Sequence, residues 1–304
     1  MRLTTEEFAP DPVSALMAHG YCIVPELMPV SKVQALHADL QPRFERTPFS
    51  DGDFYGRRTK RFGSLLKRSP HAAAFVQHPL ILDITQKILG PHCDRFQLNL
   101  TQALEIWPGE GEQMPHRDQD MWRGPKGQVE YLINVMWPFT PYTAENGATV
   151  VWPDSHTPDS PPRLPRSEAI SAEMTPGAAL LFLGSTLHGA GANRTELPRA
   201  GMIISYSLGW LKPYENQWLV YPPDVARGFS PELAALVGYQ QHRPNLGNYE
   251  GQCPSVLLRD EVPEYFHAVD ELRTDQAVPL AKLKARQRAE LSSPVSSAGD
   301  GRPA

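Results

Sequence analysis

A histidine and an aspartate two residues apart, His116 and Asp118, stand in the segment Met114-Pro-His-Arg-Asp-Gln-Asp120. In extended backbone, residues i and i+2 project from one face, so an imidazole nitrogen and a carboxylate oxygen can grip one ion. That mixed donor pair suits Fe(II), Mn or Zn. Alone it is a weak signal, because short patterns recur by chance. The chain carries a second one, His37-Ala-Asp39, inside a stretch of helical periodicity, where such neighbours do not face each other. A third donor raises the first pair above the second. The apolar run Ala179-Leu-Leu-Phe-Leu183 leads into Gly184-Ser-Thr-Leu-His188-Gly-Ala-Gly191, and the small residues around His188 let a ligand approach the backbone. By itself such a histidine reads equally as a core residue bonded to a carbonyl. Eleven residues on comes Arg199, just ahead of the apolar segment 201–206. A guanidinium entering a buried strand is costly without an anion, and its fork suits a carboxylate held bidentately. His, Asp, His and Arg in this order form a 2-His-1-carboxylate triad with an anion clamp.

These residues need a scaffold, and the periodicities describe one. Residues 29–44 place Val33, Leu36 and Leu40 on one helical face, and 79–89 repeat that spacing until Gly90-Pro91 stops it. Tyr21-Cys-Ile-Val reads as a short strand. From about residue 94 the period falls to two: Gln97, Asn99 and Thr101 alternate with Phe96, Leu98 and Leu100 in 96–107. Further strands are expected at 129–139, 148–152, 169–174, 179–183 and 202–211, separated by turn formers such as Glu145-Asn146-Gly147. Strands after a helical start predict a β-sandwich or barrel braced by helices. Residues 212–285 return to loops and short helices, including 230–237 and 263–272. The expected organisation is one domain over 1–285, helical to about 93, strand-rich over about 94–212 and loop-and-helix over about 213–285. The small, polar, breaker-rich residues 286–304 read as a disordered tail.

Composition narrows the function classes. With 304 residues, 41% of them hydrophobic and 21% charged, the chain is ordinary globular protein with enough material for a large core. A net charge of −5 excludes the basic footprint of a nucleic-acid binder. The one dense basic cluster, residues 57–61, reads as a solvated patch. Three cysteines without a Cys-x-x-Cys pair fit reduced thiols in the cytoplasm and not a disulfide framework or structural zinc. Residues 1–7 carry two acids and no apolar region, unlike a signal peptide. The longest apolar run, 178–183, falls far short of the ~20 residues of a membrane span. A soluble, cytoplasmic protein with a small-molecule partner is expected, binding neither nucleic acid nor membrane.

In their wider context, PHRDxDMW, NGATxVWPDSH and LHGAGANRTxxPRxGMIISY, these residues resemble the phytanoyl-CoA dioxygenase family of Fe(II)/2-oxoglutarate-dependent oxygenases over roughly residues 15–250. The resemblance implies a mainly β fold with flanking helices, a double-stranded β-helix or cupin-like jelly roll. It implies His116, Asp118 and His188 as iron ligands and Arg199 as partner of the distal carboxylate of 2-oxoglutarate. Gln113 and Thr149 match further cosubstrate contacts, with another from Arg58 or Arg61. Arg194 competes with Arg199, at a distance from His188 that fits less well. Gln113 and Thr149 read equally as plain strand or loop residues, and Arg58 and Arg61 as solvated charges. The implied reaction consumes O2 and 2-oxoglutarate, releases succinate and CO2, and oxidises a substrate C–H bond, with hydroxylation, desaturation, cyclisation and epimerisation all open. Asp118 argues against halogenation, which needs that coordination position vacant. Asp120, Trp122, Trp137 and Trp210 are candidate pocket walls. No basic groove would suit a coenzyme A moiety, so the expected substrate is a small, fairly apolar metabolite. Two other functions stay open: a zinc or manganese cupin-like hydrolase or isomerase, against which Arg199 counts, and a non-catalytic binding protein, against which the intact triad counts.

Overall fold

A computed structural model describes residues 11–125 and 127–292. Its first helix, α1 (Pro12–His19), starts where the Asp11 carboxylate accepts the N–H groups of Val13 and Ser14, and stops at Gly20 in the left-handed conformation. After β1 (Tyr21–Val24), helix α2 (Val30–Arg46) buries Val33, Leu36, Leu40 and Phe44, the stripe its periodicity predicts. Strand β2 (Thr59–Gly63) follows, then α3 (Ala72–Val76) and α4 (Pro79–Leu89), which bury Phe75, Ile81, Ile84 and Ile88. The strand-rich part comprises β3 (Phe96–Ile106), β4 (Leu132–Pro138), β5 (Thr149–Val151), β6 (Ile170–Ser171), β7 (Ala179–Leu183), β8 (His188–Ala190) and β9 (Arg199–Leu208). Beyond it lie α5 (Gln217–Val220), α6 (Pro223–Ala226), α7 (Pro231–Leu236) and α8 (Thr274–Ser292). Among the described residues, no helix is long and apolar enough to cross a membrane.

Six strands form one antiparallel sheet in the order β1-β7-β4-β9-β3-β2, and three form a second in the order β6-β5-β8. Helices α1 to α4, α6 and α7 share a buried core with the outer face of the larger sheet, and a cavity lies on its inner face. Alternation decides which side chain goes where. On β4, Leu132, Asn134 and Met136 line the cavity while Ile133, Val135 and Trp137 join the helix-side core. On β9, Arg199, Ile203 and Ser205 face inward and Met202, Ile204 and Tyr206 pack outward.

Several elements depart from expectation. The basic cluster 57–61 runs into β2, an edge strand paired with β3, because its alternation is hidden under charged side chains. The register of β3 against β9 shifts between Leu98 and Leu100, a bulge that lets Asn99 and Leu100 both line the cavity. Beyond it the parity inverts: Gln102 and Leu104 face inward, and Thr101 turns to accept the Leu65 N–H. Residues 263–272 form no helix. They are mostly exposed, with no core face to fold against, and their backbone serves the 249–252 loop through Val269 N–H to Gly251 O and the Gln252 amide to His267 O. The expected tail from 286 is helical as far as Ser292, within α8, while residues 293–304 lie outside the described residues.

Candidate metal centre

The two histidines meet through the main chain. His116 and His188 exchange both backbone hydrogen bonds, at 2.9 and 3.0 Å, and Gln113 N–H donates to Ala190 O at 2.9 Å. Such a pair sets its Cα atoms about 5.5 Å apart with side chains on one side, and the ring centroids lie 4.4 Å apart. Gly189 permits the approach, since a Cβ there would come to 3.1 Å from Gln113 O. His188 does not end β7, as its position suggests. The turn 184–187 carries the chain between the sheets, and His188 opens β8. Asp118 lies just past the bridged pair, where a single 3-10 turn (Asp118–Met121) begins. Its Oδ1 is 3.4 Å from His116 Nε2 and its Oδ2 is 3.6 Å from His188 Nε2. One donor atom from each residue falls within 4.8 Å of the others.

The hydrogen bonds around the trio set its protonation. His116 Nδ1 is 2.9 Å from Met114 O and His188 Nδ1 is 3.0 Å from Thr186 O. A carbonyl only accepts, so each Nδ1 carries the proton and each Nε2 faces the carboxylate. Burial drives His188 down to about 4, so this ring is neutral at pH 7. Burial also raises the Asp118 carboxyl, but His188, His116 and the Asn134 amide (3.0 Å from Oδ2) outweigh it and hold the group below its usual range. Burial lowers His116, and the Asp118 hydrogen bond and charge more than reverse this. Two imidazole lone pairs and a carboxylate thus converge on one point, an arrangement that repels itself unless a cation or a shared proton stands there. A metal ion displaces such a proton.

A cavity of about 520 Å³ opens from this trio. Arg199, the first residue of β9, reaches it at 1% exposure, with its guanidinium 4.2 Å from the centre of the Tyr142 ring. Its Nε and Nη1 have no hydrogen-bond partner. Burial lowers its pKa, yet an arginine stays charged in proteins. Arg61 also lines the cavity, from β2, with Nη1 3.4 Å from Gln102 Oε1 and a buried, unpartnered Nε. Gln113 and Thr149 are in the wall, and Gln113 accepts the Ala190 N–H and donates to Phe54 O. Asp120 stands there too.

Other expected positions fall elsewhere. Arg58 is exposed, with Nε donating to Pro108 O, because it lies in the turn that precedes β2 and not on the strand that carries Arg61. Trp137 belongs to the helix-side core, edge-on to Phe75, since it has the wrong parity on β4. Trp122 donates to Lys212 O and packs on Tyr131. Trp210 is 43% exposed and donates to His92 O. None of these three tryptophans lines the cavity. Arg194 is exposed, outside the wall. His37 and Asp39 sit on α2, the ring stacked on Phe139 and the carboxylate accepting from Ser69.

Sequence reasoning missed the mouth. Phe54 stands edge-on to His116 at 4.9 Å, and the hydroxyls of Tyr55 and Tyr214 are 2.5 Å apart. Nothing in the irregular 51–58 loop marks Phe54 or Tyr55, and Tyr214 lies in the loop that follows β9. Asn134 did leave a signal, as the single amide in Leu132-Ile-Asn-Val-Met136.

The chain is similar to several known proteins. The sequence profile of the phytanoyl-CoA dioxygenase (PhyH) family matches residues 16–201. Dioxygenase aneA of Aspergillus aculeatus is 30% identical over 79% of this chain and 85% of its own. Dioxygenase swnH1 of Metarhizium robertsii is 29% identical over 82% and 89%. Among solved structures, the epimerase SnoN in complex with Fe3+, alpha ketoglutarate and nogalamycin RO aligns with a TM-score of 0.54 at 18% identity, covering 66% of this chain and 83% of that one. HygX from Streptomyces hygroscopicus, with nickel and 2-oxoglutarate bound, aligns with a TM-score of 0.54 at 15% identity, covering 70% and 91%. The two structures share the fold, the double-stranded β-helix.

Proposed function

Because the chain belongs to the phytanoyl-CoA dioxygenase family, we propose that it is a non-haem Fe(II)/2-oxoglutarate-dependent dioxygenase that oxidises an unactivated C–H bond of a small, fairly apolar metabolite. Hydroxylation is the simplest outcome, with succinate and CO2 released. One observation carries the reading: a buried guanidinium with two unpartnered donors lines the same cavity as three converging metal donors. A divalent ion answers the second feature and a dicarboxylate the first.

His116, Asp118 and His188 would hold the ion, and Arg199 the distal carboxylate of 2-oxoglutarate. When bound, iron and 2-oxoglutarate would supply the oxidising chemistry, with O2 as oxidant and the oxo acid oxidised to succinate and CO2. The protein's own work is orientation. Met114 O and Thr186 O fix both imidazoles with Nε2 inward, and Asn134 fixes the carboxylate, as outer partners of metal ligands do. Gln113, Thr149 and Arg61 line the same cavity, where the two polar side chains would contact the cosubstrate and the guanidinium would add a second cation. Leu104, Leu132, Met136 and Phe182 give the wall an apolar part beside its polar groups, and Phe54, Met114 and Met121 continue that character to the mouth. This lining favours an apolar substrate. The three free thiols accord with a cytoplasmic setting.

The test is succinate release from purified protein with Fe(II), 2-oxoglutarate and O2, across free terpenoid and alkaloid metabolites and a set of acyl-CoA thioesters. Succinate that rises with a free metabolite and only in the presence of O2 is the expected result. Release with acyl-CoA alone overturns the substrate class. Oxygen-independent turnover with zinc overturns the reaction.

A further inference from the structure

Arg117 stands between two of the three metal donors, and its guanidinium is used entirely on other parts of the chain. Nε donates to Ser185 O at 2.9 Å. Nη2 is 3.0 Å from each of Ser155 O, Ser160 Oγ and Pro161 O, and Nη1 is 3.5 Å from Pro162 O. One side chain therefore joins the His116–Asp118 segment to the turn before His188 and to the 155–162 loop. That loop is tied to the same turn by Leu187 N–H, which donates to Ser155 Oγ at 2.8 Å.

The placement matters because the three donors are not equally fixed. The backbone bridge sets His116 against His188, but Asp118 lies past its end. The main chain at Asp118 is held from its two neighbours: on one side by the Arg117 fork, on the other by Gln119 N–H donating to Gly184 O at 3.0 Å. Both anchors lie in the turn that delivers His188. A planar guanidinium can meet several carbonyls at once, which the single ammonium of lysine cannot. We propose that Arg117 is a positioning residue that sets the reach of the Asp118 carboxylate toward both histidines and so sets the affinity for the divalent ion. The proposal rests on the metal-centre reading above.

The experiment titrates metal-free protein anaerobically with Co(II), followed by its visible absorption, and with Fe(II), for the wild type, Arg117→Ala and Arg117→Lys, with thermal unfolding of each metal-free protein alongside. Loss of a group that orients metal ligands typically weakens metal binding about 10–100-fold, and that range is expected for alanine, with lysine between it and the wild type. Arg243→Ala is the control for mere structural loss: it removes a guanidinium bonded to Asp94 at 2.9 and 2.6 Å and touches no donor. It is expected to lower the unfolding temperature and leave the Co(II) affinity unchanged. An Arg117→Ala affinity within threefold of the wild type overturns the proposal, and so does an equal loss in Arg243→Ala. If the alanine variant fails to fold, the lysine variant decides on the same threefold limit. Wild-type protein that takes up neither ion overturns the metal reading together with this one, whereas equal affinities overturn this one alone.

Discussion

Replacing Arg199 by methionine should move two measurements in opposite directions. In the protein without cosubstrate, the guanidinium is 1% exposed and two of its donors are unpartnered. The Tyr142 face 4.2 Å away offsets part of the desolvation, by about 2 kcal/mol for a buried cation. Replacing buried charge with an apolar side chain of similar volume is often neutral or stabilising by ~1–4 kcal/mol. At roughly 2 °C per kcal/mol for a chain of this size, the unfolding temperature should rise by about 2–8 °C. Binding of 2-oxoglutarate should suffer instead, because its distal carboxylate would be buried without a partner. Breaking a buried pair costs about 3–5 kcal/mol, or roughly 100- to 4000-fold in affinity at 1.4 kcal/mol per tenfold. Calorimetric titration of the Mn(II)-loaded protein with 2-oxoglutarate reads the loss. Thermal shift reads the same linkage, since ligand stabilisation follows RT ln(1 + [L]/Kd) and should vanish in the variant. Affinity within fivefold of the wild type would refute the clamp. A large fall in the unfolding temperature would show that the Tyr142 side chain, which favours the charged guanidinium, outweighs its desolvation.

His116→Ala and Asp118→Ala should abolish 2-oxoglutarate-dependent succinate release while leaving circular dichroism and the unfolding transition in place; a wild-type rate in either removes that ligand. Glu130 supplies a pH-dependent test. Burial pushes its carboxyl up from 4.5 to about 7, against the Ser185 hydroxyl at 2.5 Å. The folded protein therefore keeps a proton that the unfolded chain releases, and this contribution is complete below about pH 4.5 and lost as pH rises through about 7. Glu130→Gln, neutral throughout, should gain on the wild type between pH 5 and pH 8 by on the order of 2 kcal/mol, allowing for partial exposure; denaturant melts at both pH values that give the same difference would contradict this. Trp137→Ala should destabilise by about 3–5 kcal/mol through a core cavity, leaving the 2-oxoglutarate affinity of the folded fraction unchanged. A changed affinity would mean the indole reaches the site.

The legibility of this chain differs from element to element. Helix α4 was readable because its stripe repeats cleanly and a Gly-Pro pair ends it, and β7 because five apolar residues lie between breakers. The parity of the central strands was not readable. Every residue of β4 is buried, so apart from the single amide of Asn134 polarity does not distinguish the cavity face from the helix face, and Trp137 was expected on the wrong one. The bulge in β3 shifts parity within a single strand, with no residue type that requires it. Among the basic residues 57–61, charge concealed an edge strand, and only the start of that strand at Thr59 separates inward Arg61 from Arg58 in the preceding turn.

The sequence by itself determined the donors and their immediate setting: an imidazole and a carboxylate two residues apart, a second imidazole among small residues, and an arginine heading an apolar strand. Those are properties of residue type and local spacing, and local conformation expresses them directly. Tertiary structure alone decided that the donors meet. His116 and His188 come together because two distant segments exchange main-chain hydrogen bonds, and every residue carries the same donor and acceptor. Such pairing is selected by the register of whole strands, and that register belongs to the packed sheets.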